Sequence, residues 1–247
     1  MNLGVVLNRV FRINDNPLFH YIAQHKEEIE QLAMIIPIEN MDDVSNVKKQ
    51  YYYNVVGSFV ATLKQYNIQP FIVNYNQLGN LCQRLDLTHI LMPKDIMSFN
   101  NEENDYPHVR AKLKEHNVQI LGLRVNHYFQ PSLTFNKQNE PYKVFTSFYK
   151  ANRDKVINKP NYSYELTALS KLCSDGQNKT NIAFDKNHNI ERQSNKAWQD
   201  FLSNDIAYYS RNSDDVSQSY VSGMSIDLAY GLLDITCLLY TSDAADE

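Results

Sequence analysis

The sequence predicts a parallel α/β sheet domain, then a polar linker, then the first helices of a second, all-helical unit. Three observations lead there. Short apolar runs (Leu3 to Leu7, Leu32 to Ile38, Phe71 to Val73, Thr88 to Met92, Val118 to Leu121) are too continuous for half-exposed strands and suit a sheet covered on both faces. Segments of helical spacing separate them, and strands alternating with helices imply parallel pairing through crossovers. After Lys155 the alternation stops: Asn, Lys, Ser and Asp dominate up to Asn195, and an apolar helical stripe returns only from Lys196. The expected organisation is an α/β domain over 1–150, a linker over 151–195 and the start of a helical domain over 196–236.

Each element has a local reason. The run Leu3 to Leu7 is followed by a polar turn, with Asn16 placed to cap a helix and Pro17 at its first position, where a missing N–H costs nothing. Arg9, Arg12 and Asp15 therefore lie at the carboxyl end of the first strand, where open α/β sheets place ligands and partner surfaces. Read locally, they form an ion-pair cluster that supports the turn. From Val47 to Tyr66 a long helix is expected, because Val47, Tyr51, Val55, Phe59 and Leu63 recur every four residues. Tyr51, Tyr52 and Tyr53 offer rings for stacking on a base or a chromophore, but on such a helix they read first as core and rim. Leu78 to Leu85 reads as a helix. Pro107 to His116 reads as another, with Asp105 as its cap, and His89 as a packed or surface histidine. In the helix from Lys196 to Tyr209, Trp198, Phe201, Leu202 and Ile206 share one face, with Trp198 as its core anchor.

Composition excludes several functions. A net charge of −4 and a pI near 6.0 argue against this chain alone presenting a duplex-binding surface, which needs clustered Lys and Arg. Cys82, Cys173 and Cys237 are widely spaced, with no C-x-x-C pair, so neither a metal site nor a disulfide framework is expected and a reducing cytoplasm is the default compartment. No G-x-G-x-x-G follows any strand, which removes the usual dinucleotide site. The first apolar run is far shorter than a signal core, and no stretch approaches membrane-spanning length.

Three segments carry a family resemblance. The arrangement Arg9-x-x-Arg12-Ile13-x-Asp15-Asn16-Pro17-Leu18 resembles the opening signature of the DNA photolyase and cryptochrome family, and Pro141 to Lys150 resembles the segment closing that family's N-terminal α/β domain. Val221 to Gly231 resembles Thr-Ser-x-Leu-Ser-x-x-Leu-x-x-Gly, the motif that opens its helical flavin domain. Two hydroxyls and several backbone N–H groups at a helix start suit a phosphate, although an ordinary serine N-cap would look the same. The resemblance implies a Rossmann-like domain followed by the start of an all-α FAD-binding domain. It assigns the FAD pyrophosphate to Ser222, Met224 and Ser225, with Gly223 between them, Val221 lacking the usual threonine hydroxyl, and Tyr209 as the upstream tyrosine, Tyr208 being its rival.

For an intact parent the resemblance implies a monomeric, light-driven lyase that takes a pyrimidine dimer out of damaged DNA and splits it through reduced FAD. The alternatives are a cryptochrome-type signalling flavoprotein and a stand-alone α/β binding domain. A reduced folate antenna is expected to bind weakly or not at all, because Val10 replaces an aspartate common in the family and the Asn100 to Asp105 loop matches poorly. The last residues, Cys237 to Glu247, resemble the in-frame translation of a sequencing adapter, which would place the end of the authentic sequence near Thr236. Such a chain is expected to be inactive and to expose Met224, Leu228, Leu232 and Ile235 on a helix face without partners.

Overall fold

Side chains alternate between the two faces of a strand, so a continuous apolar run fills two cores at once. In the computed structural model, which describes residues 1–95, 105–129, 134–153, 155, 161–180, 189–212, 221–236 and 238–239, the first two strands behave this way. They are β1 (Asn2–Val6) and β2 (Gln31–Ile38). Leu3, Val5, Leu32, Met34 and Ile36 join one core, while Val6, Ala33 and Ile35 join the other. With β3 (Phe71–Asn74), β4 (His89–Pro93) and β5 (Gln119–Leu123) they form one wholly parallel sheet of order β3-β2-β1-β4-β5.

Helices α1 (Pro17–Gln24) and α2 (Asn46–Gln65) cover the first face; α3 (Leu78–Arg84) and α4 (Tyr106–Lys114) cover the second. Asn16 Oδ1 accepts from Leu18 N at 3.0 Å, the expected cap. Asp105 stands at the N-cap position of α4. On α2 the buried apolar side chains are Tyr52, Val55, Val56, Phe59, Val60 and Leu63, whereas Val47 is 81% exposed. Every-fourth spacing advances about 40° beyond a full turn at each step, so Val47 and Leu63 cannot share a face. The tyrosine triplet divides accordingly, Tyr52 into the core and its neighbours onto the rim. Burial pushes the Cys82 and Cys173 thiols up to about 12, as befits inert packed cysteines.

The remaining helices are α5 (Phe145–Asn152), α6 (Leu166–Leu169), α7 (Ile190–Asn204), α8 (Ile206–Asn212) and α9 (Ser225–Ala229). Two differences from the sequence reading stand out. Residues 161–180, expected as loose linker, are tied to the sheet: Ser174 N donates to Leu32 O at 2.8 Å, Ile72 N to Gln177 O at 2.9 Å and Lys179 N to Ile72 O at 2.9 Å. These bonds use backbone groups at the amino ends of β2 and β3, so they leave no trace in side-chain periodicity. The other difference is α7, which begins at Ile190 because Asn189 Oδ1 caps it through Arg192 N at 2.9 Å. Trp198 on α7 is half-buried and stacks on Phe201 with centroids 5.5 Å apart.

The apolar face expected to be bare is largely covered. Met224 and Leu232 are buried, and Leu228 and Ile235 are half-buried. Met224 packs with Leu233, Leu238, Leu228 and Trp198, while Leu232 and Tyr230 enter the main core beside α1 and α2. The chain folds Tyr230 and Leu232 back on the α/β domain, whereas Met224 is covered by Trp198 of α7 and by its own neighbours Leu228, Leu233 and Leu238. Residues 96–104, which include most of the Asn100 to Asp105 loop, lie outside the described residues, as do Cys237 and 240–247. Among the described residues no helix is long and apolar enough to cross a membrane.

Candidate functional site

The turn after β1 cannot satisfy its own arginines. Arg9 has φ 50° and Asp15 has φ 47°, so the backbone doubles back twice and turns both guanidinium groups inward. Arg9 makes a fork-on-fork pair with Glu39 at the end of β2, Nε to Oε1 at 2.8 Å and Nη2 to Oε2 at 2.7 Å. Glu39 is fixed in turn, since its backbone N donates to the Tyr52 hydroxyl at 3.1 Å. Arg12 is 1% exposed, and all of its donors are used. Nε reaches Asp15 O at 3.2 Å; Nη1 reaches Asn126 Oδ1 at 2.9 Å and Gly231 O at 3.0 Å; Nη2 reaches Val125 O and Asp234 Oδ2, both at 3.0 Å.

The local ion-pair reading of Arg9, Arg12 and Asp15 is therefore corrected: among the described residues neither arginine pairs with the Asp15 carboxylate. A buried guanidinium needs acceptors on every donor. The turn supplies Arg12 with a single carbonyl, so the others come from β5's continuation and from 231–234. Gly231 is required there, with φ 64° and a Cβ position that would collide with the Arg9 carbonyl.

Three more distal groups hold the same turn. Glu191 on α7 accepts from Ile13 N at 2.8 Å, Asn14 N at 3.0 Å and Asn14 Nδ2 at 2.7 Å. Burial raises its carboxyl above the ordinary value, and those hydrogen bonds offset only part of the rise. Tyr164 donates to Ile13 O at 2.7 Å and accepts from Asn16 N at 2.8 Å. Asn126 Nδ2 donates to Arg9 O at 2.6 Å. The crevice between the carboxyl ends of β1 and β4, where an open sheet reverses its winding and usually takes a ligand, is thus filled by the chain's own residues.

Asn126 owes its position to Asp95, which accepts from Val125 N at 3.0 Å, Asn126 N at 3.1 Å and His127 N at 3.1 Å, and meets His127 Nδ1 at 3.0 Å. Burial alone would raise the Asp95 carboxyl, but the hydrogen bonds from His127, Asn126 and Val125 and the electrostatic attraction of the His127 ring outweigh it and hold it below its ordinary value. A depressed folded pKa contributes stability above the unfolded value, about 3.9, that disappears as pH falls through the folded one. Asp95→Asn is accordingly expected to flatten the acid limb of urea-unfolding stability measured against pH; an unchanged slope below about pH 4 would remove this role for Asp95.

The residues assigned to a flavin phosphate lie on a second patch. Val221 and Gly223 are exposed, Ser222 is half-buried, Met224 is buried at the N-cap position of α9, and Ser225 is the exposed first residue of that helix. Gly223 has φ 67° with open space around its Cβ position, and the Ser222 and Ser225 hydroxyls have no hydrogen-bond partner among the described residues. A phosphate oxygen can approach such a turn without displacing an existing contact. Asp227 works against it with a carboxylate in the first turn, half-buried and engaged by the Tyr51 hydroxyl at 3.2 Å. Tyr209 lies on α8, exposed on one side and edge-on to Phe201 at 6.0 Å on the other. It and Met224 are linked through the stacked Phe201–Trp198 pair; Tyr208 is also exposed.

Sequence reasoning missed Glu39, Asn126, Tyr164, Glu191 and Asp234. Glu39 alone carried a signal, a carboxylate directly after an apolar strand on the sheet edge that also holds the two arginines. The others come from segments where nothing local distinguishes them. The structure also places an open cleft of about 790 Å³ at the ends of β2 and β3, lined by Glu39, Tyr53, Tyr75, Asn80 and His116 among others.

Comparison with known proteins agrees with this arrangement. The DNA photolyase family profile matches residues 5–164. No curated protein sequence matches. Among solved structures, a bacterial class III photolyase from Agrobacterium tumefaciens superposes with a TM-score of 0.70 at 15% identity, covering 97% of this chain and 52% of that one. A cryptochrome from Synechocystis sp. PCC6803 also gives 0.70, at 12% identity, covering 99% of this chain and 56% of that one. The chain thus spans about half the length of the solved proteins it resembles. The profile match runs from the end of β1 through the signature turn, the other four strands and the segment that returns to Tyr164, and on that ground the chain belongs to the DNA photolyase family.

Proposed function

We propose that this chain is the N-terminal part of a light-dependent DNA repair flavoprotein that splits cyclobutane pyrimidine dimers, and that the 247-residue chain alone is inactive. The observation that carries the reading is the joint between its two distant motifs. Arg12 of the opening signature donates to Gly231 O and Asp234 of the flavin-opening segment, so each motif exists partly to seat the other. In this reading Ser222 and Ser225 hydroxyls and the backbone around Gly223 and Met224 hold the FAD pyrophosphate, with Tyr209 alongside and Val221 contributing backbone only. Reduced FAD, when bound, supplies the electron that splits the dimer.

Damaged DNA is the partner, a cytoplasmic monomer the form, and a reduced folate antenna at most a weak ligand; Val10 is wholly buried and offers no carboxylate. A cryptochrome-type signalling flavoprotein is the second reading, favoured by the equal likeness to the Synechocystis protein. Hydrogen bonds from two serines contribute about 1 kcal/mol each, less than the several kcal/mol that association costs. The expected result is that the purified chain carries far less than one flavin per protein by absorbance. Fusing the downstream half from an uninterrupted gene should bring both flavin and light-dependent dimer repair. Near-equimolar flavin in the 247-residue chain would overturn its inactivity, and flavin without repair in the longer protein would favour the signalling reading.

A further inference from the structure

Phe145 is 76% exposed and Tyr149 is 52% exposed, on a helix where Asn152 is the buried residue. The two rings are four residues apart on one face of α5, with centroids 6.0 Å apart and planes within 23° of parallel. Val144 beside them is exposed as well. Single exposed apolar side chains need no explanation, but a contiguous group does. The helix is already anchored from its other side: Phe148 meets Phe129 and Tyr142 edge-on at 6.1 Å and 5.9 Å, and Asn152 is buried. The exposed pair is therefore surplus to the packing of α5.

Its surroundings are cationic. Residues 141–155 contain Lys143, Lys150, Arg153 and Lys155 against one carboxylate, Asp154, in a chain whose net charge is −4. All four cations are exposed, and Arg153 follows Tyr149 by four residues, continuing the ring stripe.

We propose that this face binds single-stranded DNA, with bases stacking on Phe145 and Tyr149 and the backbone phosphates running past Lys143 and Lys150. Every base has a π-face, so near-parallel exposed rings accept any sequence, and the flanking ammonium groups follow the polyanion. A duplex keeps its bases stacked internally and offers these rings nothing, which makes the face selective for unpaired strands. The choice of DNA over RNA rests on the proposed DNA-repair function; stacking itself does not distinguish the sugars.

The test is fluorescence anisotropy of the 247-residue chain with a short labelled oligothymidine, a duplex of equal length and an oligouridine. It uses no flavin and no light, so it can fail while the repair reading stands, and the reverse. Saturable oligothymidine binding is expected, weakened about tenfold by Phe145→Ala and again by Tyr149→Ala. Lys143→Gln and Lys150→Gln should each lower the slope of log affinity against log salt by about 0.7. Because all four side chains are exposed, the variants should keep the wild-type circular dichroism and urea midpoint. Absence of saturable binding in the wild-type chain would overturn the proposal, as would binding untouched by both ring substitutions. Equal affinity for the duplex would overturn the assignment to unpaired strands, whereas oligouridine binding comparable to oligothymidine is what stacking and phosphate contacts predict and would support the face. Dimerisation in sedimentation that the ring substitutions abolish, without DNA binding, would give the face to a second copy of this chain instead.

Discussion

Arg12→Leu is expected to destabilise the chain by about 3–5 kcal/mol, the cost of breaking a buried ion pair from one side. The leucine leaves the Asp234 carboxylate without its cation and strips Asn126 Oδ1 and the carbonyls of Val125 and Gly231 of their donor. No water can take over at a position that is 1% exposed. Arg12→Lys retains the charge, but three ammonium protons cannot serve five acceptors arranged for a planar fork, so most of the loss should remain. Adding Asp234→Asn to Arg12→Leu removes the uncompensated charge and should return part of the stability. Urea denaturation followed by circular dichroism measures all three. A loss under about 1 kcal/mol for Arg12→Leu would mean that the joint with 231–234 is not formed in solution.

Glu191→Ala is the second large effect, about 2–5 kcal/mol, because it leaves the N–H groups of Ile13 and Asn14 in a partly buried turn without acceptors, each worth about 1–3 kcal/mol. Glu191→Gln should be milder: its oxygen can serve Asn14, but its NH2 group then faces Ile13 N, donor against donor. The glutamine also removes a titration whose sign is fixed by the raised carboxyl. A carboxyl raised in the folded state contributes most when protonated, so the wild-type advantage over Glu191→Gln should shrink as pH rises from about 4.3, the ordinary glutamate value, through the raised folded value. A constant or growing advantage over that interval would contradict the burial of Glu191 against the turn.

These two residues show where the sequence stops being sufficient. The sheet was legible from it, because burial on both faces forces continuous apolar runs and the alternation with helices forces parallel pairing. The cap at Asn16 and Pro17 was legible for the same local reason. The family was legible in the signature turn and in Pro141 to Lys150. The burial pattern of α2 was misread only because a four-residue spacing drifts around a helix of 3.6 residues per turn.

What the arginines do was decided in three dimensions. Nothing near residue 12 announces a carboxylate at 234 or a glutamate at 191, since long-range hydrogen bonds impose no periodicity on the segments that supply them. The same holds for 161–180, ordered through backbone groups that carry no side-chain signature, for Leu232, which is covered by the α/β domain, and for Met224, which is covered by Trp198 of α7 and by Leu233. The sequence by itself determined a two-faced parallel sheet and the family motifs at its carboxyl edge. Only the tertiary structure decided that the first motif is a joint, because a buried charge takes its partners from whatever part of the chain folding brings within about 3 Å.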